Sequence, residues 1–219
     1  SLAREAADNL QSAMFTAPVL FGEGPLADPE ILWGRPLEGG RTPVSVVSLV
    51  GVPGDRNRQI VVGHVVLSLL TWARRHPPIQ APGRMNGLIV LDEAKDFLPS
   101  VRTSACKQGL QRLAAQGRKY GLGLVVATQN PKDLDGGSLS NMSTWFCGRA
   151  NTPRIIDQIR SFLEDRGSVA AEIATLESGA FQFASPRGAP RRVRVPLCLS
   201  HHPDRAPLTE EEICERARR

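Results

Sequence analysis

Two adjacent carboxylates, Asp92 and Glu93, follow the short apolar run Leu88 to Leu91. This run is too short for a buried helix and is bounded by Gly87 and the charged pair, so it predicts a buried parallel strand. Ligands of open α/β sheets bind at the carboxyl ends of the strands, where two adjacent acids are costly without a positive partner. A magnesium ion carrying a phosphate chain fits this pattern, and a strand ending in a solvated acidic turn fits it equally well.

A second apolar run, Gly123 to Ala127, ends in polar side chains instead of acids. Thr128, Gln129 and Asn130 follow it, and Pro131 closes the segment. The two runs are separated by about thirty residues that fit one helix, which is the spacing of a βαβ unit with a right-handed crossover. We therefore predict two neighbouring strands whose ends carry groups suited to a phosphate and its attacking water.

These segments resemble two motifs of one ATPase family. The string Leu-Ile-Val-Leu-Asp-Glu-Ala at 88–94 resembles the Walker B strand of P-loop ATPases. Ala-Thr-Gln-Asn-Pro at 127–131, preceded by Gly-Arg-Lys-Tyr-Gly at 117–121, resembles the next strand of the HerA/FtsK branch, the ring-forming DNA-translocating motors. A Walker B strand alone is weakly specific, whereas the ordered set is more specific and covers about residues 86 to 150.

The resemblance implies an α/β fold of the RecA-like P-loop NTPase type, with a parallel sheet flanked by helices and a carboxyl-terminal β-hairpin. Its expected divisions are an amino-terminal helix and connector (1–43), the ATPase core (44–167), and a carboxyl-terminal helix, hairpin and tail (168–219). It also implies ATP and magnesium as cofactors, a homo-oligomer that forms a hexameric ring, double-stranded DNA as partner, and a cytoplasmic location.

The resemblance also assigns roles at the strand ends. Asp92 is expected to hold magnesium through its water shell, and Glu93 to orient and polarise the attacking water. Gln129 is expected to sense the γ-phosphate with Thr128 beside it, and Asn130 is the weaker candidate. The alternative for Gln129 is an Asx-like turn before Pro131.

Two arginines are candidates for contacts beyond the strand ends. Arg118 ends the helix that precedes the second strand, where a cation also complements the helix dipole. The resemblance implies instead an arginine finger that reaches the nucleotide of a neighbouring subunit. Arg149 is a second candidate for a phosphate or interface contact.

The family's phosphate-binding loop, Gly-x-x-x-x-Gly-Lys-Ser/Thr, does not occur in the 219 residues. We therefore expect the sequence to be the carboxyl-terminal part of an ATPase core whose P-loop lies upstream of Ser1. Without the P-loop strand, the strand at 122–128 is expected to have an unpaired edge, which favours self-association, collapse of the sheet or covering by the amino-terminal segment. Weak ATP binding, or none, is expected from these residues alone. The alternative function is a non-catalytic scaffold or regulatory oligomerisation module.

Composition is compatible with both functions. The net charge is +5 and the isoelectric point is about 9.4, which suits a nucleic-acid partner without requiring one. The four cysteines are far apart, which argues against a zinc site or disulfide framework and for a reducing cytoplasm. The longest apolar stretch, 60–70, is shorter than a membrane span.

Hydrophobic periodicity and turn signals predict the remaining elements. Helices are predicted at 2–14, from Asp55 or Asn57 as cap to Arg75, from Thr103 or Ser104 to Tyr120, at 138–144, from Thr152 and Pro153 to before Gly167, and at 168–176. A buried strand is predicted at 44–50, an irregular connector at 18–43, a strand at 145–148, and a hairpin that pairs 181–183 with 193–195. The tail has a capping-box pattern at Thr209 and Glu212.

Overall fold

The computed structural model describes residues 2–16, 27–33, 42–76, 85–164, 173–196 and 208–217. The helices are α1 (Leu2–Thr16), α2 (Pro29–Trp33), α3 (Asp55–Arg75), α4 (Lys107–Gln116), α5 (Gly136–Ser140), α6 (Pro153–Glu164) and α7 (Glu210–Ala217). The strands are β1 (Gly87–Leu91), β2 (Leu122–Val126), β3 (Trp145–Cys147), β4 (Ala180–Ser185) and β5 (Gly188–Arg194). Short 3-10 helices lie at Ala94–Asp96, Gly117–Tyr120, Pro131–Asp133 and Ile173–Thr175.

Strands β1 and β2 pair in parallel, with Ile89 opposite Leu124 and Val90 opposite Val125. Helix α4 connects them, so this part of the chain is the predicted βαβ unit. One face of the pair packs on the core through Ile89 and Leu124. The other face is open, since Val90 is 64% exposed and Val125 is 45% exposed. The prediction of a strand here is confirmed, and the prediction that it is buried on both faces is wrong.

The main core lies between this parallel pair and helices α3 and α4. Leu110 and Leu113 of α4 are nearly inaccessible to solvent, and they cluster with Val66 and Leu70 of α3 and with Leu122 of β2. The apolar residues of α3 surround most of its circumference, which predicts a largely buried helix, and this prediction is wrong. Its outer side is open, where Ile60 and Leu67 are exposed, because only one face of the helix contacts the core.

A second sheet is antiparallel, in the order β3-β4-β5. Strands β4 and β5 form the predicted carboxyl-terminal hairpin, with Phe181 opposite Val193. Helix α6 covers one face through Ile159 and Leu163, which cluster with Cys147 of β3. Its first turn begins after Thr152, whose carbonyl accepts the N–H groups of Ile155 and Ile156. A parallel pair, flanking helices and a terminal hairpin confirm the predicted α/β fold class.

The segment 44–50 forms no strand, so that prediction is wrong. Val44 and Val46 are more than 80% exposed, and only Leu49 packs against the core. A β-branched run becomes a strand only where its backbone N–H and C=O groups find a neighbouring strand, and this segment is not paired with β1. The predicted connector at 18–43 contains the short helix α2, whose Trp33 packs on the core.

Helices α3 and α4 do not begin with the predicted capping residues, because the polar side chains predicted as caps bind other groups. Gly54, with φ 76°, is the N-cap of α3, and neither Asp55 nor Asn57 caps the helix. The Ser104 hydroxyl donates to the carbonyl of Phe97 in the interior, so α4 begins at Lys107. The capping box at Thr209 and Glu212 is confirmed, because each backbone N–H of the pair donates to the other side chain.

Three further elements are shorter than predicted. The strand at 145–148 ends at Cys147, and the helix predicted at 138–144 runs from Gly136 to Ser140. Of the helix predicted at 168–176, residues 168–172 lie outside the described part, and 173–175 form a single 3-10 turn. Among the described helices, none has the length and apolar character needed to cross a bilayer.

A partly buried ion pair joins the segments that follow β1 and β2. Lys107 Nζ lies 3.4 Å from Asp135 Oδ1, and both side chains are less than one-fifth exposed. The ammonium group also donates to the carbonyl of Pro99 at 2.7 Å. Asp135 Oδ2 accepts both the N–H and the hydroxyl of Ser138, at 2.9 Å each, and so caps α5. The ion pair therefore adds to the backbone hydrogen bonds that join the two loops, from Ser100 to Asp133 and from Asp135 to Leu98.

We predict that Asp135→Asn lowers the free energy of unfolding by about 2–3 kcal/mol, because it leaves the ammonium of Lys107 without its counter-charge. Burial raises the pKa of Asp135, but hydrogen bonds from Ser138 and further contacts with Gln111 and Lys107 outweigh it, so the pKa is lowered overall. Because the pKa of Asp135 is lower in the folded than in the unfolded state, its ionised carboxylate stabilises the folded protein at pH values above the unfolded-state pKa. This contribution is lost as the pH falls below about 4.

Urea unfolding at pH 7 and at pH 3 measures both effects. The control is Asp55→Asn, which breaks the exposed pair with Arg58 and should cost no more than about 0.5 kcal/mol. Equal effects of the two substitutions at pH 7 would contradict the prediction.

Candidate functional site

The carboxyl ends of β1 and β2 meet at one edge, and backbone hydrogen bonds continue past both strands. The N–H of Ala127 donates to the carbonyl of Leu91 at 2.9 Å, and the N–H of Ala94 donates to the carbonyl of Ala127 at 3.0 Å. This extension holds the acidic pair after β1 beside the polar residues after β2. The structure therefore brings together the side chains that the sequence predicted to be neighbours.

A direct hydrogen bond links the two strand ends. Gln129 Nε2 donates to Glu93 Oε1 at 2.9 Å, across 36 positions of sequence. The other carboxylate oxygen, Oε2, is inaccessible to solvent and has no hydrogen-bond partner, and Lys95 Nζ lies 3.9 Å from it. A buried carboxylate oxygen without a donor is costly, so Glu93 is held at some expense in free energy.

The backbone of Glu93 is in the left-handed conformation, with φ 46° and ψ 47°. No other non-glycine residue of the described ranges has a positive φ. The conformation costs about 1 kcal/mol for a residue with a side chain, and such strain is concentrated at functional sites. Glu93 is the N-cap of the 3-10 helix Ala94–Asp96, in which Ala94 is fully buried. The turn therefore fixes the direction in which the carboxylate leaves the strand.

The residues at this edge fit a magnesium ion held largely by phosphate and water. Asp92 is exposed, and its Oδ1 accepts the N–H of Glu93 at 3.0 Å. No group of three or more potential protein ligands occurs in the described part of the chain. Magnesium in phosphoryl-transfer sites is typically bound by one or two carboxylates together with waters and substrate phosphates. The exposed carboxylate of Asp92 is a ligand of this kind.

Thr128 and Asn130, the residues on either side of Gln129, have structural roles. The Thr128 hydroxyl donates to the Asn130 carbonyl at 3.2 Å and accepts the N–H of Asn130 at 3.3 Å. Asn130 Oδ1 accepts the N–H of Lys132, so Asn130 caps the 3-10 helix that begins at Pro131. The turn considered as an alternative for Gln129 is thus made by Asn130, which leaves the Gln129 amide directed at Glu93.

Arg118 is not at this edge. Arg118 is exposed in the 3-10 helix Gly117–Tyr120, immediately before β2 begins. Because β1 and β2 are parallel, this position is at the amino end of the pair, about 20 Å of extended chain from Ala127. Arg149 is exposed and follows β3 of the antiparallel sheet. The structure therefore groups Asp92, Glu93, Thr128 and Gln129, and separates Arg118 from them.

A cleft of about 300 Å³ opens beside Glu93, away from β2. The amino end of α3 forms its far wall with Asp55, Arg58 and Gln59, and Phe97 and Asp96 lie on the side of Glu93. Sequence analysis missed Gln59 and Lys95 as neighbours of the site. Lys95 was detectable as the nearest cation in sequence, whereas Gln59 lies on a helix with no local signal for a contact 37 residues away.

No protein-family model matches the chain. It is 34% identical over 144 residues to the DNA double-strand break repair helicase HerA of Saccharolobus solfataricus. The matched region covers 64% of this chain and 28% of that relative. It is also 35% identical over 72 residues to the HerA of Pyrococcus furiosus, and this match covers 33% of this chain and 13% of the relative. The chain thus spans less than a third of the length of these relatives.

A solved structure has the same fold. The genome packaging NTPase B204 from Sulfolobus turreted icosahedral virus 2, in complex with sulfate, superimposes with a TM-score of 0.52 at 14% identity, over 88% of this chain and 93% of that one. Fold and strand ends together define the class, a P-loop NTPase-type core. Within that class, the HerA matches confirm the predicted resemblance to HerA/FtsK-type ATPases.

We predict that Glu93→Gly gives a free energy of unfolding about 1 kcal/mol higher than Glu93→Ala, since only glycine adopts φ 46° without strain. Both substitutions remove the same carboxylate contacts. At Lys95, where φ is not positive, the order should reverse, with Lys95→Ala more stable than Lys95→Gly. Guanidinium chloride unfolding followed by circular dichroism measures all four variants. The same order at both positions would contradict strain at Glu93.

Proposed function

We propose that these residues are part of an ATP-hydrolysing motor domain of the HerA/FtsK type, which couples hydrolysis to movement on double-stranded DNA. The observation that carries the proposal is the hydrogen bond between Gln129 and Glu93 at the shared carboxyl edge of β1 and β2. Glu93 is the residue that polarises the attacking water, and Gln129 holds the Glu93 carboxylate and senses the γ-phosphate. The proposal rests on sequence similarity to part of HerA and on this geometry.

Bound magnesium would neutralise charge on the transferred phosphoryl group. Asp92 is assigned to the water shell of that ion, because its carboxylate is exposed at the strand end. Glu93 is assigned as general base by resemblance to the Walker B acid, and Gln129 holds its Oε1 at the strand ends. Thr128 supports Gln129 by fixing the turn behind it.

Arg118 is assigned to a neighbouring subunit's nucleotide. Its place at the amino end of β2 keeps it away from Glu93 of its own chain, which supports action in trans. An arginine supplied in this way makes hydrolysis depend on assembly, so the proposal includes a homo-oligomeric, hexameric ring. Arg149 is assigned to a phosphate or interface contact.

The proposed division of the sequence is an amino-terminal helix and connector at 1–43, the ATPase core at 44–167, and the helix, hairpin and tail at 168–219. The proposal also includes ATP and magnesium as cofactors and a cytoplasmic location. The mechanism requires a phosphate-binding loop, a motif that these 219 residues do not contain.

In the full-length protein with its phosphate-binding loop, Glu93→Gln should lower kcat at least about 100-fold while ATP binding is retained, because the amide has the shape of the acid but cannot take a proton. Steady-state phosphate release and calorimetric ATP titration measure the two quantities. The control is Glu177→Gln, an exposed carboxylate paired with Arg194, which should behave as the parent. Hydrolysis at the parent rate by Glu93→Gln would remove Glu93 from its role.

Arg118→Ala should abolish hydrolysis in uniform rings, since an arginine finger contributes about 10³–10⁵ in kcat. In rings mixed with Glu93→Gln subunits, activity should return at interfaces where an intact Arg118 faces an intact Glu93. The control is Lys119→Ala, a neighbouring exposed cation that should leave activity unchanged. If mixing restores no activity, Arg118 does not act in trans.

A further inference from the structure

The side chain of Gln59 bridges two segments of the loop that follows β1. Its Nε2 donates to the carbonyl of Asp96 at 2.9 Å, and its Oε1 accepts the N–H of Ala105 at 3.2 Å. Gln59 lies in the second turn of α3, which precedes β1 in sequence. Both polar functions of one amide are therefore used to hold a distant loop.

The segment held at Asp96 is the turn that begins at Glu93. Within it, the N–H of Asp96 donates to the carbonyl of Glu93 at 3.1 Å, and the N–H of Phe97 donates to that of Ala94 at 3.1 Å. The start of the turn is tied to β2 through Ala94, as described above. Its end is tied to α3 through Gln59. The short helix that directs Glu93 is thus fixed at both ends, by different elements.

Such fixing matters because Glu93 has a left-handed backbone. A strained conformation persists only where the surrounding structure determines it by several contacts. If the end of the turn were released, rotation at Glu93 toward a common backbone conformation would redirect its carboxylate. Gln59 and Glu93 also line the same cleft of about 300 Å³, so the amide contact is on the side of the turn that faces this cleft.

The rest of the loop is held separately. The Ser104 hydroxyl and the Lys107 ammonium bind the carbonyls of Phe97 and Pro99. These contacts are on residues beyond the 3-10 turn, so they do not replace the contact with Asp96.

We propose that Gln59 is a positioning residue for Glu93: it fixes the end of the 3-10 turn and thereby sets the direction of the carboxylate toward the attacking water. This inference rests on the proposed function. It requires an amide of this length, because the side chain must donate to a carbonyl and accept an N–H at once. Methionine has a similar shape without these bonds, and glutamate keeps the acceptor while losing the donor.

The first experiment needs no nucleotide. Amide hydrogen exchange in the 219-residue chain should be about tenfold faster over residues 94–98 in Gln59→Met than in the parent, since loss of about two hydrogen bonds eases local opening. The matched control is Asn57→Leu, which removes a bond of 2.9 Å to the Pro53 carbonyl on the same helical turn. It should leave exchange over 94–98 unchanged. Unchanged exchange in Gln59→Met would overturn the proposal.

The second experiment uses the full-length protein with its phosphate-binding loop. Gln59→Met should lower kcat about tenfold with KM for ATP unchanged, and Asn57→Leu should match the parent. Gln59→Glu should be impaired in the same way at pH 8, where the glutamate is ionised, because a carboxylate cannot donate to the Asp96 carbonyl. A purely structural role predicts instead that KM for ATP changes together with kcat or that Asn57→Leu shares the loss, and either result would overturn the proposal.

Glu93→Gln separates this inference from the proposed function. If Glu93→Gln hydrolyses ATP normally, the proposed function fails and the positioning role fails with it. If Glu93→Gln is inactive while Gln59→Met has the parent kcat, only the positioning role fails. If Gln59→Met does not fold, the kcat and KM of Gln59→Glu decide the matter alone.

Discussion

Parallel pairing of β1 with β2 is the constraint on which the rest of the site depends. Parallel strands end at the same edge, and two further backbone hydrogen bonds, through Ala127 and Ala94, carry this alignment beyond the strands. Glu93 and Gln129 can therefore meet at 2.9 Å although each follows a different strand. An antiparallel arrangement would place one of them at the opposite edge, and no side-chain change would bring them together.

Strain at one residue is offset by ordering around it. Glu93 is held in a conformation that costs about 1 kcal/mol, which is a sizeable part of the marginal stability of a domain. The surrounding loops are fixed by buried polar contacts, among which the pair of Lys107 and Asp135 joins the segments after both strands. Rigid loops behind a strained residue are what a site of phosphoryl transfer needs, because its catalysis depends mainly on positioning.

The same pairing explains why Arg118 is separated from Glu93 of its own chain. A residue that precedes β2 must lie at the amino end of the pair, whereas the acids lie at the carboxyl end. In the proposed motor, charge stabilisation therefore comes from a second copy and acid–base chemistry from the first. The topology is thus compatible with the proposed action of Arg118 on a neighbouring subunit.

Local sequence patterns determined the elements and the chemistry they carry. Apolar runs ending in Asp92 and Gln129 predicted β1, β2 and their polar edge, and the capping box and hairpin followed from short-range signals. The resemblance to HerA/FtsK-type ATPases rested on the same strings. These features were predictable because strand ends, caps and tight turns depend on residues within a few positions of one another.

Tertiary structure alone decided which contacts those elements make. The segment 44–50 would be a strand only if it paired with a neighbouring strand. Tertiary packing decides which face of α3 is buried and which face is exposed. The left-handed backbone of Glu93 and the bridge from Gln59 depend on groups far away in sequence. Periodicity records which face of an element is apolar, but it carries no information on which distant amide or carbonyl will face a given side chain. That information exists only once β1, β2 and α3 have packed together.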